Sequence, residues 1–281
     1  PYWVPADKMI DGDLTLYSAN LGFTHVHHFY TRRNLFTLAA SQNKIAKSKY
    51  YDIWQGIIRS STSYSTRLVK VNIPRLLSRG GLYSFGTVTG TLYIPGISGE
   101  RPILDAILSK VHNIYINNMN IKLSNTIIST QSSTLSLIMN RSADYIFVDP
   151  PFGGNLMYSE LNFLWESWLK IFTNNKSEAV ISRTQNKDLF NYQALMQSCF
   201  NEFFRILKPG RWMTVEFHNS QNSVWNAIQE SLQRAGFVIA DVRILDKKQG
   251  SFNQITSAGA VKQDLIISAY KPNGNLEERF R

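Results

Sequence analysis

The chain has 281 residues, thirty of them Lys or Arg against twenty Asp or Glu, for a formal net charge of +10. Apolar residues make up 43%, a globular share that argues against wholesale disorder, and no stretch approaches the roughly 18 apolar residues of a spanning helix. A single cysteine, Cys199, excludes an internal disulfide framework and any multi-cysteine zinc site.

The chain opens on Pro1-Tyr2-Trp3 without an initiator Met, and no secretory leader is legible. After the turn-rich Asp11-Gly12-Asp13 comes an aromatic and histidine-rich segment, Phe23–Tyr30. Thr31 then sits where a helix cap belongs, ahead of an apolar face carrying Leu35, Phe36, Leu38 and Ala39. Between Lys44 and Arg79 there are eight basic residues and one acid, Asp52, interleaved with tyrosines. Arg59, Arg67, Lys70, Arg75 and Arg79 are the candidates there for a phosphate backbone, weighed against an ordinary solvated face. Leu82–Val88 and Thr91–Ile94, separated by Gly90, read as a hairpin or a pair of short strands.

Pro102 at a first turn, with Ile103, Ile107, Leu108 and Val111, indicates another helix. From there short apolar runs alternate with helical patterns. Strands are expected at Thr126–Ser129, Tyr145–Val148, Trp212–Phe217, Phe237–Ile244 and Leu265–Tyr270. Helices are expected at Leu156–Phe172, Tyr192–Leu207 and Ser223–Arg234. This alternation argues an α/β fold with a mostly parallel sheet. The polar loop between the last two strands allows an antiparallel pair at the sheet edge. The expected organisation is an amino-terminal segment 1–43, a basic insertion with hairpin 44–100 and a catalytic core 101–281.

Asp149-Pro150-Pro151-Phe152 is the most informative segment. It lies at the carboxyl end of an apolar run, the place where open α/β sheets bind ligands. Two prolines fix φ and remove two N–H donors, leaving a stiff array of carbonyls beside a carboxylate. Such an array suits an exocyclic amino group, and Phe152 offers a flat face for a base. The bland alternative is a proline-stiffened strand cap.

Asp149–Phe152 resembles the catalytic motif of S-adenosylmethionine-dependent, adenine-specific (N6) DNA methyltransferases. Phe23–Leu35, Gly90–Pro95, Ile206–Asn219, Ser251–Gln254 and Asp264–Pro272 resemble further blocks of the large prokaryotic members, spread over about 250 of the 281 residues. The resemblance implies a Rossmann-like class I methyltransferase fold, S-adenosylmethionine as cofactor, DNA as partner and a cytoplasmic setting. It assigns Asp149 and the Pro150 carbonyl to the target amino group, and Phe152, with Pro151 in the same loop, to a base swung out of its duplex. Tyr158, Phe217, His218 and Asn219 become candidates for lining the substrate pocket, with Glu160 helping to hold base or loop. Gly153, Thr31, Arg32 and Asp149 itself are candidates for the cofactor side, and Lys247 and Lys248 for DNA. For Arg32 and Arg33 a surface salt bridge is the competing reading. His25, His27 and His28 have neither cysteines nor acids at ligand spacing, so packing is favoured over a metal.

The glycine-rich turn that cradles such a cofactor is not found. Phe85–Gly90 has the wrong glycine spacing, and the family places that turn ahead of the Thr31–Arg33 segment. The expectation is a chain lacking its amino-terminal part, with the turn supplied by that part or by a partner chain. Two alternatives stay open: an RNA methyltransferase acting on adenine or guanine amino groups, and a non-catalytic nucleic-acid-binding subunit.

Overall fold

A computed structural model of the chain describes residues 2–73, 77, 85–118, 125–219, 221–246 and 263–274. These fall into two compact units that are interleaved in sequence. The first comprises Pro1–Ile127 and Met157–Asn174, the second Ile128–Leu156 and Asn175–Arg281. The helices over 103–118 and 158–169 therefore cluster with the first unit, not with the remainder of 101–281.

The first unit is built from helices. They are α1 (Asp13–Asn20), a single turn at Val26–Phe29, α2 (Arg32–Ile45), α3 (Tyr51–Ser65), α4 (Ile103–Asn118) and α5 (Tyr158–Leu169). Thr31 caps α2 as expected, its side chain accepting from the Asn34 amide at 3.2 Å. Leu38 and Ala39 point into the core with Val26, Phe29, Trp54 and Trp168, whereas Phe36 stays 62% exposed against the edge of Tyr2. Buried Asn34 ties three segments together by donating to the Ser65 and Arg101 carbonyls at 3.0 and 3.1 Å. Trp168 donates through Nε1 to the Tyr30 hydroxyl at 3.0 Å, and burial pushes that phenol above its usual range.

One expectation in this unit fails, and the helix expected from Pro102 onward is present. The strand Phe85–Gly86 (β2) pairs antiparallel with Lys70–Val71 (β1), with Lys70 opposite Gly86, and not with 91–94, which form no strand. Sequence proximity favoured a local hairpin, but the segment around 70 supplies the partner. In α4, Ile103 is buried while Leu108 and Val111 are exposed, so the apolar spacing marks a helix whose outer stripe is uncovered among the described residues.

The second unit is an open four-stranded sheet with helices. Its strands are β3 (Ala143–Val148), β4 (Leu207–Phe217), β5 (Val238–Asp246) and β6 (Gln263–Tyr270), in the order β3-β4-β6-β5. β3 and β4 run parallel, and β6 is antiparallel to both β4 and β5. The α/β class and the antiparallel edge are as expected, but the described strands form one parallel and two antiparallel pairs, so the sheet is mixed and not mostly parallel, because β6 runs against both of its neighbours. Thr126–Ser129, expected as a strand, is exposed irregular chain that pairs with no strand among the described residues, leaving its backbone groups to solvent.

Helices α6 (Leu189–Ile206) and α7 (Asn222–Arg234) bury the core of this unit. Tyr192, Met196 and Phe200 from α6, Ile228 and Leu232 from α7, and Met213, Val215 and Ile267 from the sheet form it. α6 opens on a capping box: Asp188 accepts from the Asn191 amide at 2.9 Å, and Asn191 accepts from the Asp188 amide at 3.1 Å. At its other end the Lys271 ammonium donates to the Phe204 and Leu207 carbonyls and lies over the Phe204 ring. Burial holds that lysine below its usual range. Lys208-Pro209-Gly210 does end α6, but the chain passes directly into β4. Leu207 faces Ala143 and Trp212 faces Tyr145, so five residues of β4 span two of β3. Gly210, at φ +74°, makes that bulge possible. Among the described residues no helix is long and apolar enough to cross a membrane.

Candidate active site

β3 delivers Asp149 to the carboxyl end of the parallel pair. Asp149 is exposed there, while Pro150 behind it is buried. Past Pro150, two side chains from elsewhere in the unit take up the next two carbonyls. Tyr192, in the first turn of α6, donates through its hydroxyl to the Pro151 carbonyl at 2.6 Å. Asn219, just beyond β4, donates through Nδ2 to the Phe152 carbonyl at 2.9 Å. The Asn219 Oδ1 accepts from the Gln221 amide at 2.7 Å, which fixes the direction of the amide. Burial pushes the Tyr192 phenol above its usual range against a backbone hydrogen bond from Gly153, so it stays a neutral donor.

Gly153 then turns the chain with φ +69°. A Cβ at this position would sit 3.3 Å from Ile181 and Val224 and 3.4 Å from the Asn219 amide nitrogen. The backbone conformation favours glycine, and a Cβ would also press the neighbouring side chains aside by a few tenths of an ångström. The described structure gives Gly153 this turning role.

The Phe152 ring is half-buried. It stands edge-on to Phe217, with centroids 5.4 Å apart, and to His218 at 6.1 Å. Phe217 itself is fully buried, so among the expected pocket residues it supports Phe152 from below. His218 and Asn219 do line a cleft, together with Gly154, Asn155, Ile181 and Gln221, of about 250 Å³. His218 Nδ1 lies 2.9 Å from the Asp264 carboxylate, which is buried at the start of β6. That contact orients the imidazole at the cleft wall.

The other expected residues lie in the first unit or outside the described residues. Tyr158 is exposed at the start of α5. Glu160 is buried and committed elsewhere: its carboxylate accepts the amides of Asp13, Leu14 and Thr15 at 3.1, 2.8 and 2.9 Å, capping α1. Desolvation pushes its carboxyl above the usual range, against those three hydrogen bonds. Thr31 donates to Glu100 at 2.6 Å, and Arg33 pairs with the same carboxylate, while Arg32 is exposed. The salt-bridge reading is therefore the one Arg33 follows. Arg67 is exposed and Lys70 lies in β1. Arg59 belongs to α3, its side chain outside the described residues, as are Arg75, Arg79, Lys247, Lys248 and the block Ser251–Gln254.

The three histidines pack ring to ring, His27 and His28 with centroids 4.4 Å apart, and His28 Nδ1 accepts from the Thr24 amide. Burial first, then His28 and His25, holds His27 below its usual range. Among the described residues no group of three or more His, Cys, Asp or Glu is poised to hold a metal.

Sequence reasoning missed Tyr192, Asp264 and the cleft residues Asn155, Ile181 and Gln221. Asp264 carries a faint signal, an acid directly ahead of the run Leu265–Ala269. Tyr192 carries none, since it looks like any core aromatic of a helix.

No family model matches the sequence, and no curated protein matches it. Some solved structures are similar to the chain over part of its length. One is a protein from Thermus thermophilus provisionally named a DNA modification methylase and complexed with S-adenosyl-L-methionine: 16% identity, 51% of this chain and 54% of that one, TM-score 0.31. Another is a SAM-dependent methyltransferase from Methanosarcina mazei, at 10% identity, covering 58% and 78%, TM-score 0.31. A third is a 16S rRNA (adenine(1408)-N(1))-methyltransferase from Catenulisporales acidiphilia, at 14% identity, covering 52% and 61%, TM-score 0.29. The chain spans about half the length of the Thermus structures, 53–54%. At this level of overlap the functional reading rests on the chain's own residues.

Proposed function

We propose that the chain transfers a methyl group from S-adenosylmethionine to the exocyclic N6 amino group of adenine in DNA, acting on a base turned out of its duplex. The observation that carries this reading is the loop at the end of β3. Its carbonyls at Pro151 and Phe152 are already engaged by Tyr192 and Asn219. Asp149 is exposed at the end of β3, and Pro150, which follows it directly, carries the one carbonyl between the acid and those two. Two acceptors side by side match the two protons of one amino group.

Held by both, the amino nitrogen is drawn out of conjugation with its ring, and its lone pair becomes available as a nucleophile. The same acceptors stabilise the positive charge that grows on nitrogen as the bond to carbon forms. The neighbouring cleft is lined by neutral amides and an imidazole, groups that read the edge of a base without demanding a charge. Its volume lies below the roughly 300–1,000 Å³ typical of pockets for drug-sized ligands. It suits a nucleobase better than a whole sulfonium nucleoside. In this reading the loop and the cleft serve the acceptor side of the reaction, and the methyl donor's chemistry is to offer an electrophilic methyl when bound.

The test is methyl incorporation by the full-length protein into duplex DNA and into RNA, with the modified nucleoside identified by mass spectrometry. N6-methyladenine in DNA is expected, and Asp149→Ala should lower the rate by about 10²–10³-fold with the fold retained by circular dichroism. Methylation confined to RNA or to another base overturns the substrate assignment. Incorporation undiminished in Asp149→Ala overturns the site.

A further inference from the structure

A second constellation lies in the first unit, where Glu100 is held by groups that ordinarily hold an oxyanion. Thr31 Oγ1 donates to its carboxylate at 2.6 Å, and Arg33 donates through Nε at 3.3 Å and Nη2 at 2.7 Å. Thr31 is also the cap of α2, so the carboxylate lies beside the positive end of that helix. Arg67 acts electrostatically on the same carboxylate, and hydrogen bonds from Thr31, then Arg33, hold Glu100 below the usual carboxylate range. Arg32 and Arg67 are exposed, and neither forms an ion pair within 4.0 Å among the described residues. Two guanidinium groups, a hydroxyl and a helix end therefore act on a single negative charge.

The Arg33–Glu100 pair is itself open to solvent, its side chains 70% and 30% exposed. Exposed pairs of this kind add little to stability, so the carboxylate is cheaply displaced. A guanidinium fork and a hydroxyl converging on two oxygens fit a phosphodiester as well as they fit a carboxylate. We propose that Thr31, Arg33 and Arg67 form a phosphate site for the backbone of duplex DNA, with Glu100 the internal surrogate that the phosphate displaces. The proposal deepens the DNA reading above and takes its partner from it. It also narrows the contact expected along 44–79 to Arg67 and joins it to the start of α2.

The experiment is fluorescence anisotropy of a labelled duplex across a salt titration, with no methyl donor present. Arg33→Ala and Arg67→Ala should each flatten the slope of log K against log salt by about 0.9. Glu100→Gln should tighten binding severalfold at about 0.1 M salt, since it removes the competing charge. Arg234→Ala, in the second unit, is the control for generic loss of charge. Unchanged slopes in the two arginine variants, a Glu100→Gln protein that binds no tighter, or a control that flattens the slope as much as Arg33→Ala each overturn the proposal. Failure here would leave the chemistry at Asp149 standing. An Asp149→Ala protein that loses turnover but keeps the wild-type salt slope would separate the two readings.

Discussion

Asp149 and the two prolines after it were legible because their chemistry is local: a carboxylate, two fixed φ angles and an aromatic in four consecutive residues. The side chains that hold the loop were not, because they come from far along the chain. Tyr192 reaches Pro151 over 41 residues and Asn219 reaches Phe152 over 67. Nothing in a helix-forming stretch announces which of its aromatics will spend a hydroxyl on a distant carbonyl. Asp264 is similar, since its pairing with His218 exists only once β6 lies beside β4. Tyr192→Phe keeps the buried ring and deletes one hydrogen bond. It should cost about 1 kcal/mol in urea unfolding, and it should slow methyl transfer by loosening the loop. A variant that is less stable but unimpaired in turnover would show that the clamp matters for folding alone.

At the scale of elements, periodicity located α2, α4, α5, α6, α7 and the four strands of the sheet, although β4 begins five residues before the expected Trp212. It failed where pairing is not local or where an apolar residue faces outward. Phe36, Leu108 and Val111 fit a helical stripe yet are exposed, and the segment around Phe85 found its partner at Lys70. The capping of α1 was equally hidden. Its first-turn amides are met by Glu160, some 145–147 residues away, where a local Ser or Asp would be the usual expectation. Gly12 makes the approach possible, since a Cβ there would overlap the Glu160 carboxylate. Gly12→Ala should therefore displace that carboxylate, uncap α1 and destabilise the protein by about 1–3 kcal/mol. Calorimetry would show a matching loss in Glu160→Ala, and the double variant should cost little more than either alone. Simple additivity would mean that the two residues act independently.

Over the whole molecule, neither unit is a continuous piece of chain. Residues 157–174 cluster with the first unit although the second provides the sequence on both sides. The sequence could not reveal this, because the helix over 158–169 looks like the ordinary successor of a βα loop. Its partners precede it by more than a hundred residues: Ser167 donates to Asp7, Gln42 donates to the Trp168 carbonyl, and Trp168 donates to Tyr30. A chain truncated to residues 128–281 should thus leave the 157–174 segment without its core. Such a fragment should bind an apolar dye and be cleaved within 157–174, while 175–246 stays resistant. Equal resistance across both stretches would show that the helix needs none of those partners.

The long reach of the loop's two clamps has a further consequence, one of timing. On the ribosome Asp149 emerges well before Asn219, the later of the two residues that hold its loop. At about 5–20 residues per second the interval is several seconds. During it the acid and prolines exist as sequence but not as a shaped site. Only when α6 and the end of β4 have joined the sheet do the Pro151 and Phe152 carbonyls acquire their donors. The site is therefore assembled late, and its shape certifies that the strand and helix made after it have already found their places.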